Sequence, residues 1–234
     1  MLSLIIPCFN EEDNLRKLLE KIKFLVESNN KDLEILIVEN GSNDNSYKIL
    51  KSSKLYLNNK INIIKIDKNI GYGDGIVQGI KASSGNFICW CHADLQTDPV
   101  DVIEIFKMYK TKLLEENCII KGKRINRSFL DSIFTSGMSL LTFLMFKIRL
   151  NDINAQPKIF KRNFFSLLTD SPKDFSFDIF FLLMAKKNNL KIYEHPVMWN
   201  KRFAGTAKGG GSLKLKFKLT LRTLKFMSKL KKNL

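Results

Sequence analysis

With 234 residues, 44% of them hydrophobic, the chain can bury one domain-sized core. Its formal charge of +16 is unevenly placed: residues 1–130 carry 19 Lys and Arg against 17 Asp and Glu, while residues 131–234 carry 20 against 6. The C-terminal half therefore expects an anionic partner, but an excess gathered in a tail, instead of interleaved with aromatics over the fold, argues against a nucleic-acid-binding protein.

In chain order, apolar runs of strand length alternate with segments of helical period, the pattern of a mostly parallel central sheet flanked by helices. Leu2–Cys8 reads as the first strand. Nothing basic precedes it and Pro7 ends its apolar run, too short for a secretory leader. Asn10 is placed to cap the next helix, with Asp13 three residues on, and Leu15, Leu18, Leu19, Ile22 and Leu25 recur at helical spacing. Residues 33–38 form a second strand, 39–44 a tight loop, and a helix is expected to about Leu57. Residues 61–66, 86–91 and 118–121 supply strands three to five, with a short helix before the fourth, and 192–197 is strand-like. Cys8, Cys89, Cys91 and Cys118 lie in or beside these strands without Cys-x-x-Cys spacing, so they read as reduced, buried thiols. The apolar stretch 133–146 is interrupted by Thr135, Ser136, Gly137, Ser139 and Thr142 and falls short of the roughly 20 residues a bilayer span needs. It is either core or a membrane-facing surface. Beyond the Gly209-Gly210-Gly211 break, residues 212–234 hold eight basic residues and no acidic one, with Leu and Phe between the lysines. The expectation is a domain over 1–211 followed by a basic amphipathic segment lying on an anionic leaflet; a partner-docking helix or nucleic-acid arm is the alternative.

Polar and glycine-rich residues gather at the strand ends, where ligands bind in open α/β sheets. Four such loops, 7–12, 39–44, 69–75 and 92–98, are expected to converge on one crevice. Glu39-Asn40-Gly41-Ser42 offers a carboxylate and an amide that can answer the edge of a base, or it is a turn with a helix cap at Asn43 or Asp44. Asn69-x-Gly71, followed by Gly73, Gly75, Gly79, Ala82 and Gly85, could cradle phosphate. It lacks both the G-x-G-x-x-G and P-loop spacings, and the same residues suit a helix packed close to a strand. His92-Ala93-Asp94-x-Gln96 places polar side chains on one side of a strand end. Asp94 is the leading metal ligand; His92 is a ligand, a donor to phosphate or a structural histidine. Arg202 and Lys208 bracket small residues and could clamp a diphosphate, or lie in a solvated loop.

In this order the motifs resemble glycosyltransferase family 2, most closely its dolichyl-phosphate-mannose-synthase-like branch. The resemblance rests on Ile5-Ile6-Pro7-Cys8-Phe9-Asn10-Glu11-Glu12, Val38-Glu39-Asn40-Gly41-Ser42-Asn43-Asp44, Asn69-x-Gly71 and Ala93-Asp94-Leu95-Gln96. It continues through Gly122-Lys123-Arg124, Asp152 ahead of Phe160-Lys161-Arg162, Phe177-Asp178, Pro196-Val197 and Arg202-x-x-Gly205-x-x-Lys208. It implies a GT-A type nucleotide-binding fold, a nucleotide-sugar donor, a divalent cation (Mn²⁺ or Mg²⁺) and a polyprenyl-phosphate or glycan acceptor, as in cell-envelope polysaccharide synthesis. On it, Pro7, Asn10, Glu11, Glu39, Asn40, Gly41, Ser42, Asn69, Gly71, Asp94 and Lys208 bind the donor, and Asp94, His92 and Gln96 hold the metal. Asp152, Asp178 and Arg202 are the catalytic candidates: Arg202 for leaving-group charge, a carboxylate as base if the acceptor is a hydroxyl. The outcome implied is inversion.

Departures from the family pattern are specific. His92 stands where the first metal-motif Asp is expected, which would favour Mn²⁺ if the imidazole is a ligand. Glu39-Asn40 replaces an Asp pair, Phe180 a Glu, and Asp152-Ile153-Asn154-Ala155-Gln156-Pro157 an Asp-x-x-x-Gly-Phe segment. A cytoplasmic protein peripheral at the inner membrane face, with a homo-oligomer open, is the expectation. A nucleotidyltransferase is the rival enzyme, although the loop after the first strand is acidic where that class needs basic residues. A catalytically silent membrane- or nucleic-acid-binding module is the rival from another class.

Overall fold

The computed structural model describes residues 1–28, 32–205 and 213–233, so Lys208 and the glycine break lie outside the described residues. Among these, the strands β1 (Leu2–Cys8), β2 (Leu33–Asn40), β3 (Asn62–Ile66), β4 (Phe87–Trp90), β5 (Cys118–Ile125), β6 (Lys158–Lys161) and β7 (Lys191–Met198) form one sheet in the order β3-β2-β1-β4-β6-β5-β7. β1 pairs in parallel with β2 and β4, β2 with β3, and β5 with β7. Between β4 and β5, β6 is antiparallel to both. This strand has no counterpart in the periodicity, because four residues with a lysine at each end carry too little pattern; its Lys158 is nevertheless fully buried.

The helices are α1 (Glu12–Ser28), α2 (Ser46–Ser52), α3 (Lys54–Leu57), α4 (Tyr72–Ala82), α5 (Pro99–Glu115), α6 (Phe129–Phe146), α7 (Phe177–Lys187) and α8 (Leu213–Asn233). Asp98 starts α5 by accepting the Val100 N–H, with Pro99 at the first helical position. The helix expected to run to Leu57 is divided at Ser53, whose extended backbone stops α2 and whose hydroxyl caps α3. Side chains alternate across β1, so Leu4 and Ile6 join Leu15, Leu18, Ile22, Val102 and Phe106 on one face. Ile5 joins Ile76, Ile80, Trp90, Phe177 and Phe181 on the other. Each such buried side chain contributes roughly 1.5–3 kcal/mol, and burial on both faces explains the unbroken apolar reading of the central strands.

Close approach of α4 to the sheet depends on Gly79, where a Cβ would lie 2.4 Å from Ile5 Cγ2 and 2.9 Å from Val38 Cγ2. α8 returns to the second layer: Met227 is fully buried and Phe226 meets Phe180 edge-on at 6.3 Å. The four cysteines are free and buried. Among the described residues no helix is long and apolar enough to cross a membrane.

Candidate active site

The C-terminal ends of β1 and β2 are laced together by side chains of their turns. Asn10 sits in the left-handed region at φ 52°; its N–H donates to Ser42 Oγ at 3.0 Å and its Oδ1 accepts the Asn43 N–H at 2.7 Å. It therefore serves the neighbouring turn, and α1 begins only at Glu12, later than a cap at Asn10 implies. The Glu11 N–H donates to Ser46 Oγ at 2.9 Å, and the Glu12 N–H to Asp44 Oδ2 at 3.2 Å.

Gly41 is required at its position. Its φ is +70°, and a Cβ there would lie 2.6 Å from the Asn69 nitrogen, so the second and third turns touch backbone to backbone. Asn69 is half-buried, and Pro7 lies beside Gly75. Glu39 is buried and accepts the Ser42 N–H at 2.6 Å, which ties its carboxylate to its own turn. Asn40 donates to the Gly71 carbonyl at 3.0 Å and leaves its buried Oδ1 unpartnered.

From β4 the chain reaches His92 and Asp94 and then reverses at Leu95, φ 60°. Asp94 Oδ1 accepts the Gln96 N–H at 3.0 Å, while Oδ2 accepts from Arg202 Nη2 at 2.7 Å and lies 3.9 Å from His92 Nδ1. Arg202 Nη1 reaches the Glu11 carboxylate at 3.2 Å. One guanidinium thus joins the first and fourth turns. The Arg202 segment is held on both sides: Asn200 and Gln96 exchange bonds at 3.0 and 3.3 Å, and Asn14 pairs with both backbone groups of Ala204. Lys17 lies 4.3 Å over the Phe203 ring. All four turns meet, with residues 199–205 as a fifth wall. Asp94 is only 2% exposed, and both its oxygens are engaged, Oδ1 by the Gln96 N–H and Oδ2 by Arg202.

The other two candidate carboxylates are engaged as well. Burial opposes the charge of Asp152, but the Arg124 N–H and guanidinium bind both its oxygens and hold its carboxyl below the ordinary range, with Arg127 Nη1 at 3.5 Å. Asp178, 3% exposed, pairs through Oδ1 with the Lys158 ammonium and accepts from Gln156 Nε2 at 3.2 Å. Gln156 also donates to Tyr72 Oη at 3.0 Å, and Tyr72 Oη lies 3.2 Å from His92 Nε2. Burial, then the Asp178 charge, push the Tyr72 phenol well above its usual value, so it keeps its proton.

Beside this crevice lies a cavity of about 370 Å³ between α6, α8 and the 152–154 turn, which Gln96 also lines. Arg124, Arg127 and Lys216 supply positive charge, and Phe134, Met138 and Trp199 apolar surface. Arg124 stacks on Trp199 at 4.7 Å, Arg127 keeps an unpartnered Nε, and the cavity's own carboxylate, Asp131, is paired with Lys216 at 2.6 Å.

Among the described residues no three His, Cys, Asp or Glu side chains cluster as a metal cage. One carboxylate still fits a divalent ion whose remaining ligands are phosphate and water; Asp94 would take that role by giving up its Arg202 bond, whereas Gln96 turns its amide to the Asn200 carbonyl. Tyr72, Arg127 and Trp199 were not singled out from the sequence. Tyr72 sits between glycines and carries no spacing signal, and Arg127 and Trp199 become relevant only where α6 and the end of β7 meet.

The sequence model described as Glycosyl transferase family 2 matches residues 3–114. A dolichyl-phosphate beta-glucosyltransferase of Dictyostelium discoideum is 28% identical over 215 residues, covering 85% of this chain and 66% of that protein. A second, from Trichomonas vaginalis, is 28% identical over 231 residues, covering 91% and 70%. The chain therefore spans about two thirds of the length of these curated relatives. Among solved structures, glucosyl-3-phosphoglycerate synthase from Mycobacterium tuberculosis with Mn²⁺, UDP and phosphoglyceric acid superposes with a TM-score of 0.71 at 14% identity, over 96% of this chain and 76% of that one. Its complex with Mn²⁺, UDP-glucose and phosphoglyceric acid gives 0.72 at 14%, over 97% and 80%. At that identity the likeness establishes a shared GT-A type fold.

Proposed function

We propose that this chain is a family 2 glycosyltransferase and that it moves a sugar from a nucleotide-sugar donor to a polyprenyl phosphate at a membrane surface. The observation that carries this reading is the closure of four strand-end turns and Arg202 around Asp94. Asn40, with its unpartnered Oδ1, and the Gly41 turn would meet the base, and Asp94 would hold a divalent cation on the diphosphate. Such a cation neutralises charge that develops on the leaving diphosphate. Arg202 contributes to the same neutralisation, since its guanidinium lies on Asp94 and Glu11 and a diphosphate offers it a stronger bidentate partner. Single displacement on this scheme inverts the anomeric centre.

The acceptor class follows from what the carboxylates lack. A sugar hydroxyl needs a base to take its proton, yet Asp152 and Asp178 are locked in buried ion pairs. A lipid phosphate is already anionic near pH 7 and needs none. The neighbouring cavity, with Arg124 and Arg127 at an apolar wall, suits such a head group. Its surroundings suit a lipid surface as well, since α6 leaves Ile133, Leu140 and Leu144 exposed and α8 exposes Leu215, Phe217 and Leu221 among Lys214, Lys218, Arg222 and Lys225. The relatives named for dolichyl-phosphate glucosylation and the Mn²⁺ and UDP-glucose of the structural neighbour agree with this reading.

A thermal-shift panel of UDP-, GDP- and dTDP-sugars with and without Mn²⁺ tests it. One nucleotide class should raise Tm of the wild type with metal, and Asp94→Asn should abolish the metal-dependent part. No response to any donor would overturn the assignment.

A further inference from the structure

His92 has two nitrogens in different surroundings, and the surrounding atoms decide which one carries the proton. Lys158 donates to Asp178 Oδ1, and an ammonium has no lone pair, so that oxygen is an acceptor. Gln156 touches the same Oδ1 at 3.2 Å and must present its N–H₂ group there, since the opposite amide orientation would set oxygen against carboxylate. The second hydrogen of that amide points to Tyr72 Oη at 3.0 Å. With Gln156 donating to its oxygen, the Tyr72 hydroxyl has its own hydrogen to give to His92 Nε2 at 3.2 Å. A run of donors from Gln156 through Tyr72 to His92 thus starts from a buried ion pair. Gln156 is 1% exposed, which keeps water from its own amide.

We propose that His92 holds its proton on Nδ1, the nitrogen 3.9 Å from Asp94 Oδ2, and acts as a hydrogen-bond donor into the donor-diphosphate site, with Tyr72 and Gln156 as positioning residues. Through that nitrogen it has no lone pair for a metal. Asp94 then stands as the single side-chain anchor of a cation, and the preference for Mn²⁺ expected from an imidazole ligand has no basis. His92 and Arg202 would together present donors to phosphate oxygens in this corner, Arg202 by exchanging its Asp94 and Glu11 contacts. Only the identity of what His92 faces rests on the glycosyl-transfer reading; the position of the proton does not.

Long-range ¹H–¹⁵N correlation on ¹⁵N-histidine-labelled full-length protein reads the tautomer directly. The chain has two histidines, His92 and His195, so His92→Asn assigns the signals. Expected are a protonated-type Nδ1 and an unprotonated, hydrogen-bonded Nε2 for His92, with Tyr72→Phe shifting the Nε2 resonance. A protonated Nε2 in the wild type overturns the proposal. Mn²⁺ binding followed by electron paramagnetic resonance at saturating UDP gives a second readout: His92→Ala should stay within about 3-fold of wild type, while UDP binding without metal weakens ~10-fold, as expected for a lost bond to a charged group. A 10-fold loss of Mn²⁺ affinity at ~1.4 kcal/mol would make His92 a ligand and refute the assignment. Failure of UDP, GDP and dTDP to bind at all would strike the preceding reading and leave the resonance data to decide this one.

Discussion

A carboxylate serves as a base only while an oxygen lone pair is open to substrate, and Asp152 has its oxygens turned to Arg124 and Arg127. The group is therefore expected to matter for stability. Removing one side of a buried pair leaves uncompensated charge, here two guanidiniums, at a cost of about 3–5 kcal/mol. Asp152→Asn should lower the urea midpoint accordingly. Its folded-state pKa is depressed, so the stabilisation is complete above the unfolded value of about 3.9 and fades as pH falls through the folded value. The gap between wild type and variant, measured by urea unfolding from pH 7 downward, should be constant to about pH 5 and shrink below it. A gap that instead closes near neutrality would remove the ion pair as its source. Sequence alone shows three aspartates in family-like positions, Asp94, Asp152 and Asp178. That each is paired with a cation, Asp152 with Arg124, Asp178 with Lys158 and Asp94 with Arg202, is set by partners 28, 20 and 108 residues away.

At the scale of elements, the first four strands and their turns were legible because each carries a local signal: an apolar run ended by Pro7, by Gly41, by Asp67-Lys68-Asn69 or by the polar His92-to-Asp98 stretch. The glycine series before β4 had two readings, a phosphate cradle and a tightly packed helix, and Gly79 against Ile5 and Val38 supplies the second. Gly79→Ala should accordingly destabilise by about 1–3 kcal/mol through overpacking, read as an earlier urea transition with an unchanged m-value. Equal or greater stability would show that α4 has room to shift. β6 was not legible. Its place between β4 and β5 is set by pairing with strands far away in sequence, and its buried lysine contradicts any apolar pattern.

For the whole molecule, the charge asymmetry maps onto α8, which anchors Met227 in the core and turns lysines and large apolar side chains outward. If this face meets an anionic leaflet, sedimentation with phosphatidylglycerol vesicles should drop strongly for Phe217→Asp combined with Leu221→Asp, and for wild type in 0.5 M salt, with each basic residue contributing about 1 kcal/mol near the surface. Binding that survives both changes would assign the membrane contact elsewhere.

The strand-and-turn rhythm, the polar strand ends, the basic tail and the likeness to family 2 were determined by local residue order, because alternation, helical period and turn chemistry act over a few neighbours. Only the tertiary structure decided that Arg202 closes on Asp94, that Asp152 and Asp178 are spent in ion pairs, and that Tyr72 and Gln156 stand behind His92. Those facts arise where distant segments come within 3–4 Å of one another, and hydrogen-bond direction and charge pairing exist only between groups that folding has brought together.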